Sequence, residues 1–242
     1  MRTALAISSC FAMLASAWPH SNPNKTYYAP KAGSTWHWQL QEHPDTQTID
    51  LSLPVDAYDI SYTGPANRAY IKKLKARGVA IICYMSIGSV ESFTEDASLF
   101  DPSIVGNVYA GFTNENWLDI SRYEVFAPVM KARFQAAKNA GCDAIEGDNL
   151  GVPPEESGFL NITDASVIAY GTWLAKTAHD LGMAMGQKNA PNLVASLYEI
   201  FDFAVSESCQ YGYVCDSYLP YIHANKAVFA CEYVLPVSEV CA

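Results

Sequence analysis

The sequence is poor in histidine and lacks the glycine-rich motifs that bind nucleotides. Its five histidines are scattered along the chain, and none forms a His-Glu-x-x-His pair or a His/Cys group at metal-ligand spacing. No Gly-x-Gly-x-x-Gly or Walker loop follows a predicted strand, and no Gly-x-Ser-x-Gly elbow is present. We therefore expect no metal and no organic cofactor, and we expect neither nucleotide chemistry nor serine esterase chemistry.

Basic residues are also scarce. The chain has 15 lysines and arginines against 25 aspartates and glutamates, which gives a formal net charge of -10 at pH 7. Nucleic acid and anionic membrane surfaces are therefore disfavoured as partners. A positively charged substrate would be attracted to such a field, although secreted proteins are often acidic without binding cations.

Long apolar runs are confined to the N-terminus. After Arg2, residues 4–17 are mostly apolar and small and end in Ala-Ser-Ala. This run is shorter than the roughly 20 residues of a transmembrane helix. It indicates a signal peptide over 1–17 that is cleaved after Ala17. The mature chain, 18–242, is then expected to be secreted, extracellular and free of membrane anchors, with possible glycosylation at the sequons of Asn24 and Asn161.

Cleavage would remove Cys10 and leave six cysteines in an oxidising compartment, so we expect disulfides. Cys209 and Cys215 are close enough to close a small loop. Cys231 and Cys241 could hold the C-terminus. For each pair the alternative is two free buried thiols, because connectivity does not follow from sequence.

Strand-like and helix-like segments alternate along the mature chain. The predicted strands are 36–40, 56–60, 79–85, 117–119, 143–148, 183–188, 203–208 and 227–234, and the predicted helices are 66–77, 125–140, 164–181 and 192–200. This order favours an α/β fold, and eight units in about 225 residues favour a single (β/α)8 TIM-like barrel in one domain. An open, doubly wound sheet is the alternative, and it lacks its nucleotide motif.

Carboxylates recur at the carboxyl ends of these strands, where barrel enzymes form their active sites. Glu146 and Asp148 lie at the end of the fifth strand with a spacing of two, which puts both on one face, and Glu207 ends the seventh. Glycoside cleavage requires two carboxyl groups that flank the bond. Asp148 and Glu207 are the predicted catalytic pair, and the charge of a neighbour should raise one pKa on the fifth strand.

Other side chains near the strand ends are candidates for sugar binding. The aromatic candidates, whose rings stack on sugars, are Trp38, Tyr84, Trp117, Tyr211 and Tyr233. The polar candidates at the same ends are Ser86, Asn149, Lys188 and Asn189. Each of them alone is equally compatible with core packing or a solvated loop.

At these positions the chain resembles glycoside hydrolase family 114, the endo-α-1,4-polygalactosaminidases, and its fungal members in particular. The matching segments are Trp-His-Trp-Gln-Leu at 36–40, Cys-Tyr-Met-Ser-Ile-Gly-Ser-Val-Glu at 83–91, Trp-Leu-Asp-Ile at 117–120, Gly-Cys-Asp at 141–143, Asp-Asn at 148–149, Lys-Asn-Ala at 188–190, Glu-Ser-Cys at 207–209 with Cys215, Val-Phe at 228–229 and Glu-Tyr at 232–233. The resemblance covers nearly the whole mature chain.

The resemblance implies a (β/α)8 barrel that hydrolyses galactosamine polymers of the galactosaminogalactan type. It assigns the nucleophile to Asp148 and the acid/base to Glu207. The ammonium groups of such a polymer would suit an acidic cleft, and the candidate residues for binding them are Asp59, Glu91, Asp119, Glu146 and Glu232.

The chain departs from the fungal pattern at two places. It has Glu-Gly-Asp-Asn at 146–149 where the family has Asp-Pro-Asp-Asn, and Ser-Phe-Thr at 92–94 where the family has an arginine-containing segment. Two alternatives stay open: a barrel hydrolase of another α-linked polysaccharide, and a non-catalytic carbohydrate-binding protein. In each case we expect a monomer.

Overall fold

The computed structural model describes residues 25–40 and 49–234. Three predictions concern residues outside these ranges and stay predictions. They are the signal peptide, glycosylation at Asn24 and the pairing of Cys231 with Cys241. In the part of the chain that is described, no helix combines the length and apolar character that crossing a membrane requires.

Seven parallel strands form a sheet that curls into a nearly closed barrel, which confirms the predicted α/β barrel class. Three further strands form a separate antiparallel sheet. The ten strands are β1 (Trp36–Trp38), β2 (Ala57–Ser61), β3 (Ala80–Ser86), β4 (Ser89–Glu91), β5 (Val105–Tyr109), β6 (Phe112–Leu118), β7 (Ala144–Asp148), β8 (Ala184–Lys188), β9 (Phe203–Glu207) and β10 (Val228–Cys231). The barrel order is β1-β2-β3-β7-β8-β9-β10, and the small sheet has the order β4-β6-β5.

The helices pack outside the barrel. They are α1 (Pro65–Ala76), α2 (Ala127–Ala140), α3 (Pro154–Ser157), α4 (Asp164–Asp180), α5 (Val194–Leu197) and α6 (Leu219–His223). Three of the four predicted helices match α1, α2 and α4 to within about two residues at each end. The fourth, predicted over 192–200, is a short 3-10 turn followed by the single turn of α5. Gly141 ends α2 in a left-handed conformation, with φ 107°.

The fourth predicted strand is not a barrel strand. Residues 117 and 118 end the longer strand β6, and Asp119 lies just beyond it. Strand β6 pairs antiparallel with β4 and β5, and β3 pairs directly with β7. A strand covered on both faces by a barrel and its helices needs a continuous apolar run, whereas an antiparallel strand can expose one face. Thr113, Asn114 and Asn116 make β6 too polar for the barrel.

Aromatic stacking and one backbone bond hold the first and last strands near each other. The rings of Trp36 on β1 and Phe229 on β10 stack with centroids 4.7 Å apart. The N–H of Ala227 donates to the carbonyl of Pro30 at 3.0 Å. The segment before β1 therefore joins the two edge strands, β1 and β10, in place of a continuous ladder of hydrogen bonds between them.

Aspartates at the amino ends of three strands support the sheet rather than the site. Asp56, Asp143 and Asp202 each precede a strand, and each accepts a backbone N–H from a neighbouring segment. The donors are Thr35 at 2.8 Å, Ile81 at 2.9 Å and Met185 at 3.0 Å. Because these carboxylates satisfy backbone donors at the end of the barrel opposite the catalytic candidates, we read them as structural.

The described residues contain two disulfides. Cys209 bonds to Cys215, which confirms the predicted small loop. Cys83 on β3 bonds to Cys142 just before β7, across 59 residues of sequence. Cys231 forms no disulfide with another described cysteine, and the pairing predicted for it with Cys241 lies outside the described residues.

We expect the two disulfides to contribute unequally to stability, because cross-linking a longer loop removes more entropy from the unfolded chain. Replacing Cys83 and Cys142 by alanine, which opens the 59-residue loop, should lower the free energy of unfolding by about 4 kcal/mol. The matched change at Cys209 and Cys215, which opens a loop of 6, should lower it by about 2 kcal/mol. Urea denaturation of both variants measures this, and equal losses would contradict the loop-length argument.

Candidate active site

Three adjacent strands end in a charged residue that is followed by a sharp turn of the chain. Asp148 ends β7, Lys188 ends β8 and Glu207 ends β9. The next residue in each case has a left-handed φ: 64° at Asn149, 51° at Asn189 and 55° at Ser208. This conformation is uncommon outside glycine and marks functional sites when several cluster. It turns the chain away at the barrel mouth and leaves the three charged side chains pointing inward.

Lys188 lies at the centre of this group and is buried. Its Nζ is 2.8 Å from Oε1 of Glu146 and 3.4 Å from both Oδ1 of Asp148 and Oε2 of Glu207. Burial by itself would lower the pKa of Lys188, but these three carboxylates outweigh it and raise that pKa. The ammonium is therefore charged, and it links the two predicted catalytic residues.

Asp148 is held on both carboxylate oxygens. The hydroxyl of Tyr84 donates to Oδ2 at 3.1 Å, and the backbone N–H of Asn149 donates to Oδ1 at 2.9 Å. Its side chain is 20% exposed. Asp148 is thus oriented by fixed donors and still reachable from the barrel mouth.

Glu207 is held by the residue that follows Lys188 and by the chain after β10. Asn189 donates from Nδ2 to Oε2 at 2.9 Å and accepts the backbone N–H of Glu207 on Oδ1 at 2.9 Å. The Tyr233 hydroxyl donates to Oε1. Burial raises the pKa of Glu207, but Lys188 and these two donors together bring it below its ordinary value. Glu207 is therefore ionised in the unliganded protein near neutral pH.

A second pair of carboxyls, Glu146 and Asp59, lies deeper in the barrel and is fully buried. Trp38 donates from Nε1 to Oε2 of Glu146 at 3.1 Å, and Lys188 pairs with the other oxygen. Neither oxygen of Asp59 accepts a hydrogen bond from a donor in the described residues. Burial and the adjacent Glu146 raise the pKa of Asp59 well above its ordinary value.

Two carboxyls can share a hydrogen bond only when one of them carries a proton. Asp59 has no cation of its own, so it holds the proton and Glu146 carries the charge that faces Lys188. Burial, reinforced by Asp148, also raises the pKa of Glu146, although Lys188 opposes this. The pKa predicted to be raised on this strand is that of Glu146, although burial rather than the neighbouring charge is the largest cause.

The antiparallel sheet supplies a network that the sequence analysis missed. Nδ2 of Asn149 donates to Oε1 of Glu115 at 3.0 Å and also lies within hydrogen-bond distance of the Ser86 and Ser89 hydroxyls. Ser89 donates to Glu115. Glu115 is buried, two residues before Trp117 on the same strand face. That spacing was the available signal, because alternate residues of a strand share a face.

Two features of the β3–β4 turn hold this network in place. A Cβ on Gly88 would lie 1.7 Å from the backbone oxygen of Asn149, so only glycine permits this approach. Arg133 of α2 donates from Nη1 to the carbonyl of Ser86 at 2.9 Å and pairs with Asp96 at 2.6 Å. The residue after Asp148 is therefore fixed from two sides.

The carboxyl of Glu91 on β4 has a raised pKa. Burial and the charge of Glu115 raise its pKa to about 7, against the opposing effect of Arg133. Glu91 therefore changes charge near neutrality, in the small sheet that packs beside Asp148.

Several other predicted site residues have structural contacts of their own. Asp119 caps a 3-10 helix by accepting from the N–H and hydroxyl of Ser121. Glu232 accepts the backbone N–H of Gln210 at 2.8 Å and so braces the Cys209–Cys215 loop. Tyr211 in that loop is 58% exposed, whereas Trp117 is buried against Tyr109. Asp119 and Glu232 therefore shape the loops around the site.

We expect Lys188 to be required for stability. Replacing it with methionine would leave buried carboxylates without a counter-charge, and the free energy of unfolding should fall by about 3–5 kcal/mol at neutral pH. The control is Lys176→Met, whose ion pair with Asp180 on α4 is exposed and should contribute less than about 0.5 kcal/mol. Denaturant unfolding at pH 7 measures both, and equal losses would show that Lys188 is not the counter-charge.

Comparisons with known proteins identify solved structures of similar fold. Among solved structures, the chain is similar to Ega3 from Aspergillus fumigatus, solved in complex with galactosamine, with a TM-score of 0.79, 28% identity and coverage of 90% of this chain and 88% of that one. It is similar in fold to the glycoside hydrolase domain of PelA from Pseudomonas aeruginosa, with a TM-score of 0.62, 14% identity and coverage of 85% of each chain. It also shares the fold of an α-galactosidase from Thermus thermophilus, with a TM-score of 0.55, 13% identity and coverage of 87% of this chain and 55% of that one.

A search of curated proteins gives no match. The family model of glycoside hydrolase family GH114, in contrast, matches residues 17–242. This match covers almost all of the predicted mature chain and confirms the resemblance found in the sequence. The chain therefore belongs to glycoside hydrolase family GH114.

Proposed function

We propose that the chain is a secreted, endo-acting glycoside hydrolase that cleaves α-1,4-galactosaminide linkages in a galactosamine-containing polysaccharide. The observation that carries this proposal is the pair of carboxylates, Asp148 and Glu207, which approach the same buried lysine from two strand ends. Both are partly exposed at the mouth of a barrel, where such enzymes bind substrate.

The substrate class is supported by charge and by similarity. Asp148, Glu207, Glu91 and Glu115 surround the barrel mouth, and the chain as a whole is acidic. An amino sugar with a free ammonium group is attracted to such a site, whereas an acidic sugar is repelled. Ega3, which is 28% identical, was solved in complex with galactosamine.

The distance between the two carboxylates favours retention of anomeric configuration. Oδ1 of Asp148 and Oε2 of Glu207 each lie 3.4 Å from Nζ of Lys188, so they are at most twice that, or 6.8 Å, apart. Retaining enzymes hold the two carboxyls about 5–5.5 Å apart, and inverting enzymes about 6.5–9.5 Å. The bound holds for this one pair of oxygens; it includes the retaining separation and reaches only the lower edge of the inverting range.

In the proposed mechanism, the reactive form is the minor fraction of the enzyme in which Glu207 has taken up a proton from solvent. Asp148 attacks the anomeric carbon while protonated Glu207 donates this proton to the leaving glycosidic oxygen. Glu207 then takes a proton from water, which attacks the anomeric carbon and releases Asp148. Tyr84 and Lys188 hold the nucleophile, and Asn189 holds the acid/base. Because these donors are already in place, little reorganisation accompanies the reaction.

The extracellular location is part of the same proposal. The Cys83–Cys142 and Cys209–Cys215 disulfides are typical of proteins folded in an oxidising compartment. Together with the predicted signal peptide they favour secretion, and a polymer-cleaving enzyme would meet its substrate outside the cell.

We expect Asp148→Asn and Glu207→Gln each to lower the rate by several powers of ten, since each removes one of the two carboxyls the chemistry needs. The assay is release of oligosaccharides from partly deacetylated galactosaminogalactan, analysed by mass spectrometry. Glu199→Gln, which removes an exposed carboxylate, is the control and should remain fully active. Products of mixed length from the wild type would indicate endo cleavage, and an α anomer as the first product would indicate retention.

Other outcomes would point to the alternatives. Release from a neutral α-linked polysaccharide, with none from galactosamine polymer, would indicate another substrate. Polymer binding that is unchanged in both variants, without any release, would indicate a carbohydrate-binding protein.

The pH dependence should identify the role of Glu207. A general acid must be protonated in the free enzyme, and kcat/KM reports the pKa of the free enzyme. Because the pKa of Glu207 lies below its ordinary value, its protonated fraction shrinks as pH rises through the acidic range, and kcat/KM should decline with it. A kcat/KM that shows no decline between acidic and neutral pH would contradict the assignment of Glu207 as the proton donor.

A further inference from the structure

A cleft of about 350 Å³ opens beside Asp148, and Glu207 is not among its lining residues. Its floor includes Asp148, Lys188 and Asn189. One wall comes from the hairpin of β5 and β6, and the other from the start of α4 and the turn after β8. The volume falls within the range of about 300–1,000 Å³ that is typical of ligand sites. The cleft is thus continuous with the proposed active site and extends past it.

The hairpin wall is a short series of aromatic rings. Trp117 and Tyr109 line the cleft, and their ring centroids are 4.2 Å apart. Phe112, at the hairpin tip, lies 4.8 Å from Tyr109 and is 57% exposed. The rings therefore run from the buried end of the cleft to solvent. Trp117 is buried and Phe112 does not line the cleft, so Tyr109 is the ring of this series that lines the cleft and is partly exposed. Its apolar face suits the apolar face of one sugar ring.

A carboxylate adjoins these rings. Glu156 on α3 lines the cleft, and its Oε1 accepts the backbone N–H of Ala110 in the hairpin at 3.1 Å. Its backbone carbonyl accepts from Nδ2 of Asn107 at 3.0 Å. Glu156 therefore links α3 to the hairpin through two hydrogen bonds. Its other carboxylate oxygen, Oε2, can accept a hydrogen bond from a ligand. Burial raises the pKa of Tyr109, and the charges of Asp148, Glu115, Glu156 and Glu207 raise it further.

We propose that this cleft is a subsite for a further amino-sugar unit of the polymer, with Tyr109 stacking on the ring and Glu156 accepting the ammonium group. This inference rests on the proposed function and adds the direction in which the chain runs: from the catalytic pair, past Asp148, and outward along the hairpin. The hairpin of β5 and β6 is then a specificity element, because it supplies Tyr109 to this subsite.

The test is hydrolysis of α-1,4-galactosamine oligomers of increasing length by the wild type, Tyr109→Ala and Glu156→Gln. Tyr109→Ala should lower kcat/KM about tenfold for long oligomers, as expected for loss of one aromatic contact. Glu156→Gln should lower it about threefold, as expected for a partly exposed ion pair. Both losses should disappear for the shortest oligomer that is cleaved, because it does not reach the subsite.

Two matched variants separate the subsite from general effects. Tyr109→Phe keeps the ring and should retain activity. Glu155→Gln removes the same charge from the neighbouring residue, which is exposed and does not line the cleft, and should have no effect. Losses that are equal for all oligomer lengths, or no loss in Tyr109→Ala, would overturn the subsite while the proposed activity stands. A wild type that cleaves none of the oligomers would overturn both.

Discussion

The burial of one ammonium group among several carboxyls is the constraint on which the rest of the site depends. Lys188 is 1% exposed and faces Glu146, Asp148 and Glu207 together. Removing charges from water is costly unless they are paired, so the number of ionised carboxylates in the barrel is limited. Asp59 satisfies this limit by holding a proton, which leaves Glu146 as the closest partner of Lys188. The same lysine keeps Glu207 ionised and sets the spacing of the catalytic pair.

The backbone delivers these groups through two simple rules of geometry. Alternate residues of a strand face the same side, so Glu146 and Asp148 both point into the barrel, as their spacing predicts. At the strand ends, left-handed residues such as Asn149 and Ser208 turn the chain sharply and leave the last side chain facing the mouth. At Ser208 the second rule is a tertiary effect, because serine, unlike asparagine, rarely adopts this conformation unless surrounding contacts compensate its strain.

The segment between β3 and β7, which contains the small antiparallel sheet, affects the active site more than it affects the barrel. The polar residues of β6 prevent it from becoming a barrel strand, and β3 pairs directly with β7 instead. The small sheet then packs over the mouth, where Glu115 contacts Asn149 and Trp117 and Tyr109 line the adjoining cleft. A barrel strand would have pointed half of these side chains into the helical layer. The small antiparallel sheet, which stands in the sequence where a barrel strand was predicted, thus forms one wall of the cleft.

The sequence by itself determined the α/β barrel class, seven of its strands, three of its longer helices, the Cys209–Cys215 loop and the family, because periodicity, loop spacing and motifs are local properties. The pairing of β3 with β7, the Cys83–Cys142 disulfide and the central place of Lys188 were decided only by the tertiary structure. Asp143 precedes β7 and Asp148 ends it, yet Asp143 supports the sheet whereas Asp148 faces the site. The reason is physical: the charge state and role of a carboxyl depend on which donors, charges and solvent surround it, and residues distant in sequence supply all three.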